Sequence, residues 1–358
     1  MNEKLEQRII ERLKEHKIKL KDIHDQTEAM CLIAVKYNGY ALEYVKDQTE
    51  DVCLAAVKQN GLALQFVKDQ TESICLEAVK KNGLALKYVK CQTKAICLAA
   101  IKCDGWALEY VKNQTEEICL EAVKENGMAL QFVNCQTEEI CLEAVKQNNY
   151  VIRYAKNQTD NVCLAAVKNN GLNLEYVNNQ TVEVCSAAVK NKKEALKFAN
   201  NQTEEMCLEA VRDNGLNLKF VKHQTEKVCL AAVKEDTYAL AYVKDQTERV
   251  CIEAIKKYKN ALSYVKSKNI TLNVCKALND TKTAINYLDL RIKDHCLIAL
   301  NLLVEDKNKD SKMLTKIIDR FNKDNKFISF YTKHNLWKYV DFSKVKINDK
   351  FSKYTMVL

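Results

Sequence analysis

The chain has 358 residues, of which 47% are hydrophobic and 29% charged, so it can bury a core and lacks the composition of a disordered protein. It contains no proline and only 7 glycines, which excludes proline-rich linkers, collagen-like sequence and glycine tethers. The net charge of +9 is uneven: residues 256–358 carry 22 Lys/Arg against 10 Asp/Glu, whereas residues 1–255 are slightly acidic. Any attraction to an anionic partner is therefore expected at the C-terminal end.

Residues 1–25 predict an amphipathic N-terminal capping helix with an apolar stripe of Leu5, Ile9, Ile10 and Leu13. This start is charged and lacks the apolar core of a secretory signal, and no apolar run approaches the roughly 18 residues of a membrane span. Sixteen cysteines in such a chain indicate a reducing compartment, with thiols acting as small buried hydrophobes. We therefore expect a cytoplasmic protein (in the host cytoplasm if it is viral) without a membrane segment.

The dipeptide Gln-Thr recurs every 22 residues, without insertion, in eleven copies that span residues 26–267. Its glutamines are Gln26, Gln48, Gln70, Gln92, Gln114, Gln136, Gln158, Gln180, Gln202, Gln224 and Gln246. A period this strict predicts stacked supersecondary units rather than separate domains.

The copy at residues 114–135 shows the elements that each repeat predicts. Thr115 has the short hydroxyl side chain of an N-cap, and two glutamates follow it in the first turn of a longer helix, helix A. Helix A has an apolar stripe of Ile118, Cys119, Ala122 and Val123. Asn126-Gly127 then ends it.

All seven glycines fall in this one column of the repeat, which predicts a positive φ angle at the C-terminus of helix A. Asn149, which tolerates that conformation, fills the slot in one further copy. Lys193, Thr237 and Lys259 fill it in the other three, where we expect strained or differently shaped turns.

A shorter segment with an aromatic residue in every copy follows the glycine and predicts a two-turn helix B that packs on helix A. Its aromatic column is Tyr44, Phe66, Tyr88, Tyr110, Phe132, Tyr154, Tyr176, Phe198, Phe220, Tyr242 and Tyr264, which we expect in the core. A leucine-rich repeat is disfavoured, because helix A runs about eleven residues without a breaker. The fold class is therefore an all-α α-solenoid of stacked 22-residue two-helix repeats with terminal caps.

The pattern decays after residue 267. Residues 268–302 are expected to form degenerate repeats, and residues 303–358 a basic, aromatic cap or docking segment with a helix near 311–322. Trp337 and Tyr339 lie in this last segment, whose mixture of lysines and aromatic rings is typical of single-strand nucleic-acid binders.

The unit Q-T-x-x-x-C-L-x-A-V-K-x-N-G-x-A-L-x-[YF]-V-K resembles a repeat family catalogued only as a domain of unknown function. That family is common in giant DNA viruses of amoebae and occurs in some bacteria. The resemblance covers residues 26–267 and implies an intracellular viral or bacterial repeat protein. It implies no activity, ligand or catalytic residue.

One column of the repeat holds a cysteine in every copy, from Cys31 to Cys251, and Cys275 and Cys296 extend it. Neighbouring helices lie about 8–10 Å apart, too far for a disulfide between ladder thiols, so we expect structural packing. Cys91, Cys103 and Cys135 lie off the column and are better candidates for reactive thiols.

The column of glutamines predicts an amide ladder in which each side chain bonds backbone of the adjacent repeat; a row of ligand-binding amides is the alternative.

A basic column near the end of helix A predicts a positive stripe that could follow a phosphate backbone. In the other interpretation, each cation pairs with the Glu-rich first turn of a neighbouring repeat. The net negative charge of the array favours this second interpretation. The members of the basic column are Lys36, Lys58, Lys80, Lys102, Lys124, Lys146, Lys168, Lys190, Arg212, Lys234 and Lys256.

The position after the glycine varies among Tyr40, Trp106, Met128, Tyr150, Tyr238 and leucines, as a recognition surface would require. The five histidines show no spacing that indicates a catalytic triad or a zinc site. We therefore expect a non-enzymatic scaffold, without cofactor or metal, that binds a protein partner through Trp106, the basic column, Trp337 and Tyr339. The alternative is a nucleic-acid-binding protein that uses the basic column or the C-terminal segment.

Overall fold

The computed structural model describes residues 3–289, 295, 298–299 and 301–303, and within them the protein consists of helices and connecting turns without a β-strand. The predicted α-solenoid is confirmed: within each of its two compact units, successive helices pack in tandem against their neighbours along the chain. The chain divides into two compact units, Met1–Ala199 and Asn200–Leu358. The proposed helix near 311–322 and the docking segment at 304–358 lie outside the described residues.

Each repeat contains one ten-residue α-helix, helix A, that begins directly after the Gln-Thr dipeptide. Its threonine caps the helix: in the sixth copy, for example, Thr137 Oγ1 accepts a hydrogen bond from the backbone amide of Ile140 at 3.4 Å. The helices A are Glu28–Tyr37, Glu50–Gln59, Glu72–Lys81, Lys94–Cys103, Glu116–Glu125, Glu138–Gln147, Asp160–Asn169, Val182–Asn191, Glu204–Asp213, Glu226–Glu235 and Glu248–Lys257.

Helix B is a six-residue 3₁₀-helix, two turns of the tighter helix type, as its short sequence permits. It begins at the glycine column, where the preceding residue is extended and, in nine of the eleven copies, caps it with its side chain. Asn38 Oδ1, for example, accepts from the Tyr40 amide at 3.1 Å. The helices B are Gly39–Tyr44, Gly61–Phe66, Gly83–Tyr88, Gly105–Tyr110, Gly127–Phe132, Asn149–Tyr154, Gly171–Tyr176, Lys193–Phe198, Gly215–Phe220, Thr237–Tyr242 and Lys259–Tyr264.

The terminal elements are less regular than the repeats. The N-terminal helix Glu3–Lys14 is followed by a single 3₁₀ turn, Leu20–Asp22. After the last repeat come a 3₁₀ turn, Ser267–Asn269, and two short helices, Leu272–Lys276 and Thr281–Tyr287.

The prediction of a positive φ at the glycines is wrong, since no glycine has one. In the seven copies that have glycine, the next repeat packs too closely for a side chain. A Cβ atom at Gly61 would lie 2.3 Å from the carbonyl oxygen of Ala78, in helix A of the following repeat. The turns at Lys193, Thr237 and Lys259 are not differently shaped either: each begins a six-residue helix B without positive φ.

The core lies between the two layers of helices. Helix A presents four buried residues to helix B, as Val52, Cys53, Ala56 and Val57 do, and helix B contributes an alanine and a leucine. These small and branched side chains allow the close stacking that also excludes a Cβ at the glycine column.

Candidate functional site

The glutamine column forms an amide ladder between successive inter-repeat turns. Each side chain bonds backbone at the end of its own 22-residue copy, and most also bond, as predicted, a carbonyl of the preceding copy. Gln114 Nε2 donates to the carbonyl of Phe132 at 2.9 Å, and Gln114 Oε1 accepts from the amide of Asn134 at 2.9 Å. In all eleven copies the side-chain amide donates to the carbonyl 18 residues later. This column is therefore structural, and its amides are not available to a ligand.

A second ladder, which the sequence analysis did not identify, follows the end of helix B. Lys68 Nζ donates to the carbonyl of Lys46 at 2.9 Å, and Lys90 Nζ donates to the carbonyl of Lys68 at 2.7 Å. The signal for it was present, because a lysine two residues after the aromatic column recurs in most copies.

The glutamates of the first turn bind threonines rather than the basic column. Thr49 Oγ1 donates to Glu28 at 2.6 Å, and Thr247 Oγ1 donates to Glu226 at 2.7 Å. The predicted pairing of the basic column with these first turns is therefore wrong. Instead, Lys146 contacts Glu143 of its own helix at 3.1 Å.

The basic column lies on the outer face of the helix-A layer, opposite the face that packs against helix B. Its eleven members are exposed, and in the described part of the chain some of them are neutralised locally. Lys80 pairs with Glu77 of its own helix, and Lys234 with Glu253 of the following one. The outer face is therefore mixed in charge rather than uniformly positive.

The cysteine column is buried from Cys31 to Cys275, as the packing interpretation predicts, and Cys296 lies outside the described residues. Burial raises the pKa of Cys119 and Cys251 to about 11, so these thiols are neutral at physiological pH. By contrast, Cys91, Cys103 and Cys135 are exposed.

The face of helix B is the more apolar of the two exposed faces. The prediction that the aromatic column belongs to the core is wrong, because its rings are half-buried and three of them, Tyr44, Tyr242 and Tyr264, are exposed. In the first unit we define the helix-B strip as this aromatic column with the variable column beside it. Its members are Tyr40, Leu62, Leu84, Trp106, Met128, Tyr150 and Leu172, with Tyr44, Phe66, Tyr88, Tyr110, Phe132, Tyr154 and Tyr176.

Rings of the strip pack edge to face between repeats. Tyr40 meets Phe66 with ring centroids 6.0 Å apart at 87°, and Trp106 meets Phe132 at 5.5 Å and 66°. Trp106 nevertheless remains 38% exposed and Tyr150 51% exposed.

Charged side chains lie directly over the strip. Lys87 Nζ is 5.8 Å from the ring centroid of Tyr88 and 5.9 Å from that of Tyr110, and Arg153 lies 4.6 Å from the centroid of Tyr176. Burial and the neighbouring Glu109 carboxylate raise the pKa of Tyr110. The strip therefore combines apolar area with alternating charge.

The structure does not bring the predicted site residues together. Trp106 lies on the helix-B layer, whereas Lys102 and the rest of the basic column lie on the helix-A layer. Trp337 and Tyr339 lie outside the described residues.

A groove of about 380 Å³, lined by both apolar and polar side chains, lies beside the N-terminal helix, where the single turn Leu20–Asp22 replaces a complete helix B. Tyr37, Tyr40 and Tyr44 line it, and His16 stacks on Tyr37 with ring centroids 3.7 Å apart.

The one buried histidine in the described part of the chain has a structural role. His295 Nε2 lies 2.9 Å from the carbonyl of Ser267, and its Nδ1 accepts from the amide of Asp289 at 3.1 Å.

Within the described residues no group of three His, Cys, Asp or Glu side chains is placed to hold a metal ion. None of the described helices has the length and apolarity that a bilayer crossing requires.

Comparison with known proteins gives one match. Residues 28–71, 71–114 and 115–158 each match the family model of a domain of unknown function, DUF4116. Each matched segment is 44 residues long, which is two of the 22-residue repeats. No curated protein and no solved structure matches the chain. The chain thus contains a repeat domain similar to one whose function is unknown.

Proposed function

We propose that this protein is a non-enzymatic scaffold that binds a protein partner along the helix-B strip. The observation that supports this function is the exposure of large apolar side chains in one column of the repeat. Trp106 and Tyr150 protrude where the fold itself requires only contact with the next repeat. Tryptophan, tyrosine and methionine are enriched in protein interfaces, and tryptophan and tyrosine are also enriched among the hot spots of binding.

Hydrogen bonds at the ends of helices B also hold the strip in place. The glutamine and lysine ladders fix the ends of successive helices B, so the exposed rings are held on a rigid layer. A surface ordered before binding loses less conformational entropy when a partner docks. Solenoids commonly use such extended surfaces for binding, which is a fold-level argument.

We further propose that the protein works in the cytoplasm of a bacterium or of a virus-infected host. The resemblance to viral and bacterial repeats supports the source. The buried free thiols from Cys31 to Cys275 support a reducing compartment.

The mixed charge of the helix-A layer weighs against the nucleic-acid alternative, because local carboxylates such as Glu143 and Glu253 compete for the cations. Binding through phosphate contacts would weaken steeply with salt, whereas binding through the strip would not.

The test is affinity capture from the source cells with nuclease present, comparing the full chain with a Trp106→Ala/Tyr150→Ala variant. A matched control is Lys102→Ala/Lys146→Ala, which removes two exposed side chains from the helix-A layer. We expect the strip variant to lose protein partners that the wild type and the control retain. Equal capture by both variants, or capture that nuclease abolishes, would refute the proposal. Circular dichroism tests whether each variant remains folded.

A further inference from the structure

We propose that the Asn-Gly junctions of the array are sites of spontaneous deamidation, and that a hydrogen bond on the glycine amide decides which junctions react first. The junctions lie where helix A ends and helix B begins. This inference is independent of the proposed function, because it concerns the main chain and not the helix-B strip. The asparagines of the six junctions are Asn38, Asn60, Asn82, Asn126, Asn170 and Asn214.

The reaction needs only the chain and water. The main-chain nitrogen of the residue after asparagine loses its proton and attacks Cγ of the asparagine side chain. The bond from Cγ to the side-chain nitrogen breaks, ammonia leaves with the proton, and a five-membered succinimide forms. Water then opens this ring to aspartate or isoaspartate, so one water is consumed for each ammonia released. Glycine favours the attack because it has no Cβ to crowd the nitrogen or to restrict the backbone.

The six asparagines share one local geometry, so conformation does not distinguish them. All six are extended, with φ between −139° and −152° and ψ between 107° and 113°. In each, the side-chain Oδ1 accepts a hydrogen bond of 3.0–3.2 Å from the amide two residues later, which caps helix B. The carbon that is attacked is therefore presented alike at every junction.

The glycine amides differ, because two of them are bonded to the next repeat. The amide of Gly39 donates to Gln59 Oε1 at 2.8 Å, and the amide of Gly171 donates to Asn191 Oδ1 at 2.7 Å. The other four glycine amides have no acceptor among the described residues. These are the amides of Gly61, Gly83, Gly127 and Gly215.

The acceptor belongs to the last residue of helix A in the following repeat. Opposite Gly61 this residue is Lys81, whose ammonium has no acceptor to offer. Opposite Gly127 it is Gln147, which makes no hydrogen bond to the glycine although Gln59 makes one at the same position. The contact itself, and not the residue type alone, therefore separates the two groups of junctions.

A bonded glycine amide should react more slowly for two reasons. The acceptor must be displaced before the proton can leave, and a negative charge on the nitrogen would lie against the acceptor oxygen. The loss of one neutral hydrogen bond corresponds to about a fivefold increase in rate. We therefore expect Asn60, Asn82, Asn126 and Asn214 to be converted before Asn38 and Asn170.

Exposure of the asparagine does not produce this order, because each group contains both kinds of site. Asn38 and Asn214 are both exposed, and only the junction of Asn38 has the bonded amide. Asn170 and Asn60 are both half-buried, and only the junction of Asn170 has it. The chain thus supplies two matched pairs for the comparison.

The fold accepts one of the two products. Asp104 and Asp236 occupy the same place in two other copies and cap helix B through Oδ1, as asparagine does. Isoaspartate instead adds a carbon atom to the main chain beside a glycine that has no room: a Cβ at Gly61 would lie 2.3 Å from the carbonyl oxygen of Ala78. Conversion to aspartate therefore adds a negative charge and keeps the cap, whereas isoaspartate disturbs the stacking of repeats.

The experiment incubates the full chain at mildly alkaline pH and follows each asparagine by peptide mapping with tandem mass spectrometry, which locates both products. In the folded protein we expect Asn214 to be converted about fivefold faster than Asn38. The same ratio is expected for Asn60 against Asn170. In denaturing urea the differences should disappear, because the six dipeptides are identical.

Substitutions at Gln59 test the hydrogen bond directly. Gln59→Ala should accelerate conversion of Asn38 about fivefold, while Asn170 in the same molecule stays slow and so reports any general loosening. Gln59 Nε2 also donates to the carbonyl of Tyr37 at 3.3 Å. Gln59→Glu keeps an acceptor oxygen but removes that donor, so it should leave Asn38 slow.

Three results would overturn the inference. They are equal rates at the matched junctions of the folded protein, no conversion at any junction before unfolding, and acceleration of Asn38 by Gln59→Glu equal to that by Gln59→Ala. The first would remove the role of the glycine amide, and the second would show that stacking of the repeats blocks the attack everywhere. The third would assign the effect to the Tyr37 carbonyl instead.

Discussion

Replacing Gly61 with alanine tests why the glycine column exists. The new Cβ would lie 2.3 Å from the carbonyl oxygen of Ala78 and 3.0 Å from Asn82 Cβ, so helix A of the next repeat must move by most of an ångström. Because φ is not positive at Gly61, the substitution introduces no backbone strain.

The sign of the effect follows from two magnitudes. Overpacking a tight contact costs about 1–3 kcal/mol. Alanine restricts the unfolded chain and so offsets about 0.4–1 kcal/mol of that cost. We therefore expect Gly61→Ala to lower the free energy of unfolding by about 1–2 kcal/mol. Gly105→Ala should cost less, since its Cβ would lie 2.9 Å from the nearest carbonyl oxygen, that of Ala122.

Asparagine at the same position distinguishes crowding from conformation. If the column required a left-handed residue, Gly61→Asn would be better tolerated than Gly61→Ala. If it requires space, the larger side chain is worse. Hydrogen exchange of the amide of Asn82, which donates to the Ala78 carbonyl at 2.9 Å, measures the local effect, because a repeat array need not unfold in one step. Greater protection in Gly61→Asn than in Gly61→Ala would refute the steric explanation.

The ladders, a helix cap and the thiols support four further predictions. Gln114→Ala leaves the carbonyl of Phe132 and the amide of Asn134 without their side-chain partner. The free energy of unfolding, measured in urea, should therefore fall by about 1–3 kcal/mol. An unchanged midpoint would mean that water replaces the glutamine amide. Thr159→Ala removes a helix cap and should cost about 0.5–2 kcal/mol; it should also raise the pKa of Glu138, which hydrogen bonds from Thr159 and Asn161 hold below its ordinary value, as NMR titration can measure. Maleimide at pH 7.5 should label the exposed Cys91, Cys103 and Cys135 while the buried column reacts only after unfolding. Burial raises the pKa of thiols such as Cys119 from 9.0 to about 11, so the folded state retains protons that the unfolded state releases. The contribution of these thiols to stability is therefore complete below pH 9 and declines towards pH 11. Cys119→Ala should reduce the fall of the thermal midpoint between these two pH values.

The repeat made the architecture predictable from the sequence. Eleven copies with identical spacing fixed the number and order of helices A and B, and the threonine caps and buried cysteines followed from residue type alone. The glutamine ladder was also predictable, because water would satisfy an exposed amide without requiring glutamine in every copy; only the bonds to backbone exclude the alternative of a ligand-binding row.

The errors concern distances between repeats, which a one-dimensional pattern does not contain. A glycine column is expected both where φ is positive and where another backbone approaches closely. Only the position of the Ala78 carbonyl distinguishes these two reasons. The exposure of the aromatic column depends on how closely the short 3₁₀ helices pack against helix A. The spacing of residues in the sequence does not determine this distance. The separation of Trp106 from the basic column followed from the same layer geometry.

The ladders have a consequence for how the chain folds. The glutamine bonds close loops of 18 and 20 residues, the threonine–glutamate bonds of the repeats loops of 21, and the lysine bonds loops of 22. No tertiary hydrogen bond of these ladders joins residues that are distant in sequence, so contact order stays low however many repeats the array contains. Such a chain can nucleate at any repeat and extend in either direction. Deleting one 22-residue copy would restore every ladder with a new neighbour, so gene duplication and loss could change the length of this array without disturbing its register.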